Sequence, residues 1–421
     1  MRSKQAIKSL LFHCTQEIVL LQIRKYLCGY CALDFWGTVT RIRGWLLLAV
    51  LAVSVALPFI YAYNEWNAVE KDEFHFGVTY GFNTIQEARI LIDKVKDYTD
   101  VFVVDSRDIT FTSNETLLTD ICNYAAGAGL KFIVYFDLIS EITYPWHHEW
   151  LTTAKTRWGD KFLGIYLHDE LGGKQLDGKI NGTQQFQSAS NYSDAADRFV
   201  NIISGFNSTK FAKNNNIAMF TGDYALCWFD YLGGYDTVFV ELGWGLNTTQ
   251  QIAMCRGAAN VQGKDWGAII LYKTEEPPYL GSGIEIFYEM VAAYRAGAKY
   301  VLVFNFPRYP ETNPYGVLGE EHFTAMKNFH DYVNAYPRNL YGRFEGHVAY
   351  VLPKDYGWGA RWPDDNIWGL WPADEKAPQI WENMNKLIAR YGFELDIVFD
   401  DARFSPQDKY PTVYAWNATI A

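Results

Sequence analysis

Cysteine is scarce. Six residues in a chain of 421 are too few for a disulfide-stapled scaffold. Charge is thin as well, at 20% of residues against 49% hydrophobic, which excludes a disordered chain. Glycine (33) and proline (14) stand at ordinary levels, so collagen-like and low-complexity chains drop out. No G-x-G-x-x-G turn follows the first apolar run, Tyr80-Gly81-Phe82-Asn83 standing there instead. No H-E-x-x-H spacing occurs, and Cys28-Gly-Tyr-Cys31 is a lone C-x-x-C without the second half-site that zinc requires. Positive charge is short beyond residue 43. Residues 1–43 hold seven Lys/Arg against two Asp/Glu, and the rest holds 30 against 46. That excess of acid argues against a nucleic-acid partner, because polyphosphate binding needs the opposite sign.

One long uncharged run is present, residues 44–63 (GWLLLAVLAVSVALPFIYAY). Twenty residues at 1.5 Å each span roughly 30 Å, the thickness of a bilayer core. Trp45 stands at one end and Tyr61 and Tyr63 at the other, as interfacial aromatics do. Arg41 and Arg43 precede the run, while Glu65, Glu70, Asp72 and Glu73 follow it. The positive-inside bias predicts a transmembrane signal anchor with 1–43 as a cytoplasmic basic tail, 64–74 as a linker and the bulk outside. The alternative is a secreted chain cleaved near Ser54-Val55-Ala56. N-x-S/T tripeptides at Asn114, Asn181, Asn191, Asn207, Asn247 and Asn417 all follow the run and are the expected glycosylation sites. Cys122, Cys227 and Cys255 lie on that side and permit at most one bridge within the chain.

From residue 74 short apolar runs alternate with longer amphipathic ones. The runs are 76–80, 101–105, 132–137, 163–169, 217–221, 237–241, 268–272 and 300–304. Helical spacing lies between them at 84–98, 115–128, 195–206, 249–259 and 283–296. Near-continuous apolar strands mean burial on both faces, as in a parallel sheet. Gly129 and Gly297 stand where helices stop. Eight strand–helix units predict an α/β fold, a (β/α)8 TIM barrel over 75–340. A small C-terminal α/β lobe is expected over 341–421, with strands at 347–352, 395–399 and 412–415 and a helix at 377–391. The Gly/Gln/Ser-rich stretch 171–192 reads as an insertion after the fourth strand.

Chemistry in such a barrel sits where the strands end. The second run ends in Asp105, the third in Asp137 and the fourth in His168-Asp169-Glu170. The fifth runs into Asp223 and Tyr224, the sixth ends in Glu241, the seventh in Lys273-Thr274-Glu275-Glu276 and the eighth in Asn305. Close carboxylates push one another's pKa values apart, leaving one proton donor and one anion. Glycosidic cleavage uses such a pair. Tyr80, Trp146, Trp228, Trp244, Tyr272 and Tyr279 are candidate platforms for sugar rings.

The segment Leu163-Gly-Ile-Tyr-Leu-His-Asp-Glu170 resembles the fourth-strand signature of TIM-barrel glycoside hydrolases of the retaining, cellulase-like superfamily. The resemblance implies Glu170 as acid/base and a second carboxylate at the end of strand seven, Glu275 or Glu276. Asp169 stands where that group usually carries Asn, and the chitinase-like D-x-x-D-x-D-x-E pattern is absent. Glu241 competes for the second role, since Val238-Phe-Val-Glu241-Leu-Gly-Trp244 sets a carboxylate at a strand end beside an indole. The catalytic candidates are therefore Glu170, Glu241 and Glu275. The substrate-binding candidates are Tyr80, Asp105, Asp137, Asp169, Tyr224, Trp244, Tyr272 and Asn305.

Each has a plainer reading. The acids can be salt-bridge partners or hydrogen-bond acceptors at the barrel mouth. His168 points away from Asp169 in a strand and reads as core or interface. His147-His148-Glu149 reads as a solvated loop, and the tryptophans at 358–371 as lobe core or a sugar-binding lip. The expectation is a glycoside hydrolase acting on an oligo- or polysaccharide, with no metal or other cofactor. The alternatives are a non-catalytic glycan-binding or cell-surface barrel and, behind it, a metal-dependent deacetylase.

Overall fold

The computed structural model describes residues 73–81, 84–136, 144–178, 188–274, 276–306 and 313–420. The expected tail, anchor and most of the linker lie outside them, as do Asp137, Asn181 and Glu275. Among the described residues no helix is long and apolar enough to cross a membrane. They all fall in one compact unit, Asp72–Ala421.

The first half of the barrel runs β1 (His75–Tyr80), α1 (Ile85–Val95), β2 (Val101–Val104), α2 (Arg107–Thr110), α3 (Thr116–Gly127), β3 (Lys131–Tyr135), α4 (Pro145–Trp158) and β4 (Phe162–Tyr166). The second half runs α5 (Leu171–Leu176), α6 (Tyr192–Gly205), α7 (Asn207–Asn214), β5 (Met219–Asp223), α8 (Cys227–Gly233), β6 (Thr237–Leu242), α9 (Thr248–Gln262), β7 (Asp265–Ile270), α10 (Gly283–Arg295) and β8 (Tyr300–Val303). The helices α11 (Glu320–Ala335) and α12 (Arg338–Tyr341) finish it. The eight strands pair in parallel and close through β1 and β8, where His75 faces Tyr300 and Val78 faces Val303.

The two-residue period of each strand divides its apolar residues between two cores. Val101, Val103, Ile133, Tyr135, Tyr166, Phe220, Phe239, Ile269, Tyr300 and Leu302 pack together inside the barrel. Their strand neighbours Phe102, Val104, Phe132, Val134, Ile165, Val238, Val240 and Val301 join the helical shell. Burial on both faces is why the strands read as unbroken apolar runs.

The segment expected to be a solvated loop at His147 is instead helix α4. Pro145 opens it, and His147, Trp150, Leu151 and Ala154 form its buried stripe at helical spacing. His147 is fully buried, and its Nε2 lies 2.7 Å from the Thr110 carbonyl. The stretch expected as an insertion begins with α5, directly after β4.

The lobe is a three-stranded parallel sheet in the order β10 (Leu395–Phe399), β9 (Val348–Leu352), β11 (Thr412–Ala415), with α13 (Ala377–Tyr391) between β9 and β10. It is tied to α9 by Arg256. That guanidinium meets Asp396 at 2.7 Å out of solvent and donates to the carbonyls of Phe344, Phe393 and Leu395. Trp358 and Trp368 are fully buried in the seam and act as lobe core, whereas Trp362 is about half exposed. Cys122, Cys227 and Cys255 are buried free thiols.

Candidate active site

The strand ends open onto one cavity of about 550 Å³. Asp105, Asp169, Glu170, Glu241, Trp244 and Tyr272 line it, six of the eleven catalytic and substrate-binding residues expected from the sequence. Glu241 comes from the end of β6. Two residues from Phe239, it shares that side chain's inward face and is almost wholly buried.

Glu170 arrives by a different route. β4 ends at Tyr166, and the chain then passes through left-handed backbone at His168 (φ 53°) and Glu170 (φ 55°). Each such residue costs about 1–3 kcal/mol and persists only where its surroundings hold it. Here they do. His168 is locked outward, Nδ1 2.7 Å from the Tyr235 hydroxyl and Nε2 2.9 Å from that of Ser208. The Glu170 amide donates to the Gly222 carbonyl at 2.9 Å. The Asp223 carboxylate then accepts from the amides of Gly172 (2.5 Å), Gly173 (2.8 Å) and Ala225 (3.0 Å). Gly172 and Gly173 lie so close to Ala225 and Tyr224 that a Cβ on either would collide.

These constraints bring Glu170 to the cavity that Glu241 lines, close enough for its charge to act on Glu241. Burial pushes the Glu241 carboxyl well above the usual carboxylate range, and the charges of Glu170, Asp169 and Asp223 push it the same way. Its Oε2 has no hydrogen-bond partner among the described residues, and its Oε1 sits over Gly222. Asp169 is raised to about 6, by burial first and then by the Glu170 charge. The Tyr166 hydroxyl donates to it at 2.7 Å. Lys174, one turn into α5, spans the pair, with Nζ 3.3 Å from Glu170 and 3.5 Å from Asp169. The wall is aromatic: Trp244 meets Tyr272 edge-on at 6.0 Å, and Tyr272 meets Phe304 at 5.2 Å. Trp244 also holds left-handed backbone (φ 53°).

Other expected residues lie elsewhere. Tyr80 is not in the cavity: it is the outward neighbour of Thr79, stacks on Phe102 at 5.7 Å and donates its hydroxyl to Thr84. Tyr224 faces the lobe seam and donates to Asp177 at 2.8 Å. Asn305 is fully buried and accepts from the Val317 amide at 3.3 Å, while its neighbours Phe304 and Phe306 take the cavity side. Trp146 donates to the Thr112 carbonyl, Trp228 packs on Phe399, and Tyr279 supports Tyr272. Asp137 and Glu275 lie outside the described residues. Two side chains at the site, Tyr166 and Lys174, were not among the expected residues, and Asp223, named as a strand-end acid, was not placed among the site candidates. The inward parity of Tyr166 in β4 was a usable signal. Lys174 announces itself only once the turn is known to be helical. Among the described residues no group of three or more His, Cys, Asp or Glu is arranged to hold a metal ion.

No family model and no curated protein matches the chain. Solved structures do. An alpha-L-fucosidase isoenzyme 2 from Paenibacillus thiaminolyticus aligns at 11% identity and a TM-score of 0.48, over 81% of this chain. This chain spans 59% of that protein's length. A beta-mannanase from the blue mussel Mytilus edulis aligns at 9% identity and a TM-score of 0.38, over 61% of this chain and 92% of its own. A D-psicose 3-epimerase from Clostridium cellulolyticum H10 aligns at 12% identity and 0.36, over 62% and 99%. Glycoside hydrolases thus stand among the similar structures beside an epimerase, and the chemistry has to be read from this chain's own side chains.

Proposed function

We propose that the chain is a glycoside hydrolase that cleaves glycosidic bonds with Glu241 and Glu170. The observation that carries this reading is a buried carboxyl beside a second one in an aromatic-walled cavity, its proton affinity raised by burial and by that neighbour's charge. Glu241 keeps its proton and serves as the general acid on the leaving oxygen. Glu170, held against the Lys174 ammonium, supplies the negative charge that meets the anomeric carbon. This reverses the role that the fourth-strand resemblance implies for Glu170. Asp105 and Asp169 are placed to accept from sugar hydroxyls, and Trp244 and Tyr272 to stack on the ring's apolar face.

The substrate on this reading is an oligo- or polysaccharide outside the cell, with residues 44–63 as the anchor. Asn114, Asn191, Asn207, Asn247 and Asn417 are all solvent-exposed, as glycan attachment requires. Asn191 and Asn247 cap α6 and α9 through their side-chain oxygens, and the Asn191 amide nitrogen donates to the Ser190 hydroxyl at 3.2 Å. The test is turnover on a panel of glycans and aryl glycosides by wild type, Glu170→Gln and Glu241→Gln. Each substitution should lower kcat by about 10²–10⁴-fold. Unchanged cleavage by either variant would remove that residue from the mechanism.

A further inference from the structure

Directly behind the Glu170 turn lies a second pair of acids. Asp230, in the middle of α8, is fully buried. Neither of its carboxyl oxygens has a hydrogen-bond donor among the described residues. It touches Asp223, which is also fully buried and accepts three backbone amides. Among the described residues no cation pairs with it. Cys227 faces Asp230 from its own helix, Cys255 from α9, Tyr235 from the segment after α8, and Asp223 from β5. Two adjacent ionised carboxylates cannot persist in such a place, and a neutral acid needs an acceptor for its proton. Asp223 has accepting capacity to spare, since a carboxylate offers about four lone-pair sites.

We propose that Asp230 is a positioning residue for the Glu170–Glu241 site: its carboxyl stays protonated and donates to Asp223, whose negative charge then grips the turn that carries Glu170. The proposal rests on the reading of Glu170 as catalytic. Burial, followed by the Asp223 charge, raises Asp230 well above the ordinary range, in keeping with a retained proton. The chain of support then runs from Asp230 to Asp223, to the amides of Gly172 and Gly173, and so to the left-handed backbone at Glu170. Asp230 touches no substrate. It keeps a strained turn from relaxing out of the cavity.

Amide hydrogen exchange at Gly172, Gly173 and Ala225 reads the grip without any substrate. Asp230→Ala should speed exchange at these three amides, whereas Asp230→Asn, whose side-chain amide can still donate to Asp223, should leave it close to wild type. Infrared difference spectra should show the carbonyl stretch of a neutral carboxylic acid that Asp230→Asn removes and Glu241→Gln leaves in place. In turnover, Asp230→Ala should lower kcat by about 10–100-fold with little change in KM, the worth of one hydrogen bond to a charged group. Asp230→Asn should restore kcat. Equal exchange in all three proteins, or equal damage from Asn and Ala, overturns the proposal. If wild type cleaves no glycan, the glycosidase reading fails, and the exchange and infrared results still decide whether Asp230 grips the turn through a proton.

Discussion

Replacing Glu241 with Gln should stabilise the protein at neutral pH while abolishing its activity. Glu241 is 2% exposed and remains neutral in the folded chain, whereas in the unfolded chain it ionises with an ordinary pKa near 4.5. Between 4.5 and the raised folded value, the folded state binds a proton that the unfolded state has released. Stability therefore falls as pH rises, by about 1.4 kcal/mol per pH unit from this one group. The loss accumulates at that slope from 4.5 until the pH reaches the raised folded value. Gln has the same shape and no proton to lose, and its amide can donate to Glu170. Urea unfolding of both proteins at several values between about pH 4 and pH 8 measures the effect, since the other raised acids are common to both. The two stabilities should nearly coincide at the acid end and diverge above it, Gln the higher, by about 1.4 kcal/mol per pH unit until Glu241 ionises in the fold. Parallel curves would mean that Glu241 ionises normally in the fold, and both the proton-donor role and the electrostatic account of the cavity would be wrong.

Gly222→Ala should disable the site from below, because its Cβ would fall 2.2 Å from the Tyr166 hydroxyl and 3.1 Å from Glu241 Oε1. A loss of about 1–3 kcal/mol in thermal or urea unfolding, with a larger loss of kcat, is expected. Tyr166→Phe removes a donor that favours the Asp169 anion, so Asp169 should titrate above its present value of about 6. The acid limb of the kcat/KM profile should then move to higher pH; an unmoved limb would exclude Asp169 from that limb. Arg256→Met leaves Asp396 buried beside only Asn260 and Tyr410, at a cost of about 3–5 kcal/mol measured by denaturant. A loss below about 1 kcal/mol would show that the lobe is held to the barrel by its apolar seam instead.

The barrel was legible because its signal is periodic. Eight apolar runs separated by helical spacing leave few alternatives, and each run coincides with a strand to within a few residues. The strand-end rule then selected most of the cavity acids, since a side chain's inward direction follows from parity as long as the strand stays regular. Parity sorts the misses as well. Tyr80 is one residue past inward-facing Thr79 and so turns to the shell. Beyond the last ladder bond the rule loses its basis: Glu170 reaches the cavity only because two left-handed residues re-aim the chain, and Tyr224 leaves along a turn that faces the lobe. His147 was misread because a histidine on an otherwise apolar helical stripe looks polar in sequence, whereas it packs against Phe136 and Trp146 with its Nε2 on one carbonyl and its Nδ1 without a partner among the described residues. The lobe's hold on the barrel, which depends on Arg256 meeting a residue 140 positions away, leaves no local trace.

Counting protons shows why these acids tolerate one another. Asp169, Asp223, Asp230 and Glu241 all have raised affinity for protons, and Glu170 stands among them. Lys174 is the cation that spans the Asp169–Glu170 pair, and it contacts the group from one side. Five negative charges against one positive charge in so small a volume would unfold the mouth of the barrel. The cluster has to divide into neutral and ionised members, and its geometry sets the division. Asp223 takes three amide hydrogen bonds and is the anion of the rear pair, so Asp230 holds the proton. Glu170 pairs with the ammonium at 3.3 Å, whereas Glu241 is the more deeply buried and has no ion pair among the described residues, so on the proposed reading the front pair keeps its proton on Glu241. The same electrostatic pressure that would destabilise a structural cluster thereby sets a donor beside an anion at a cavity floor, which is the division of labour that glycosidic cleavage demands.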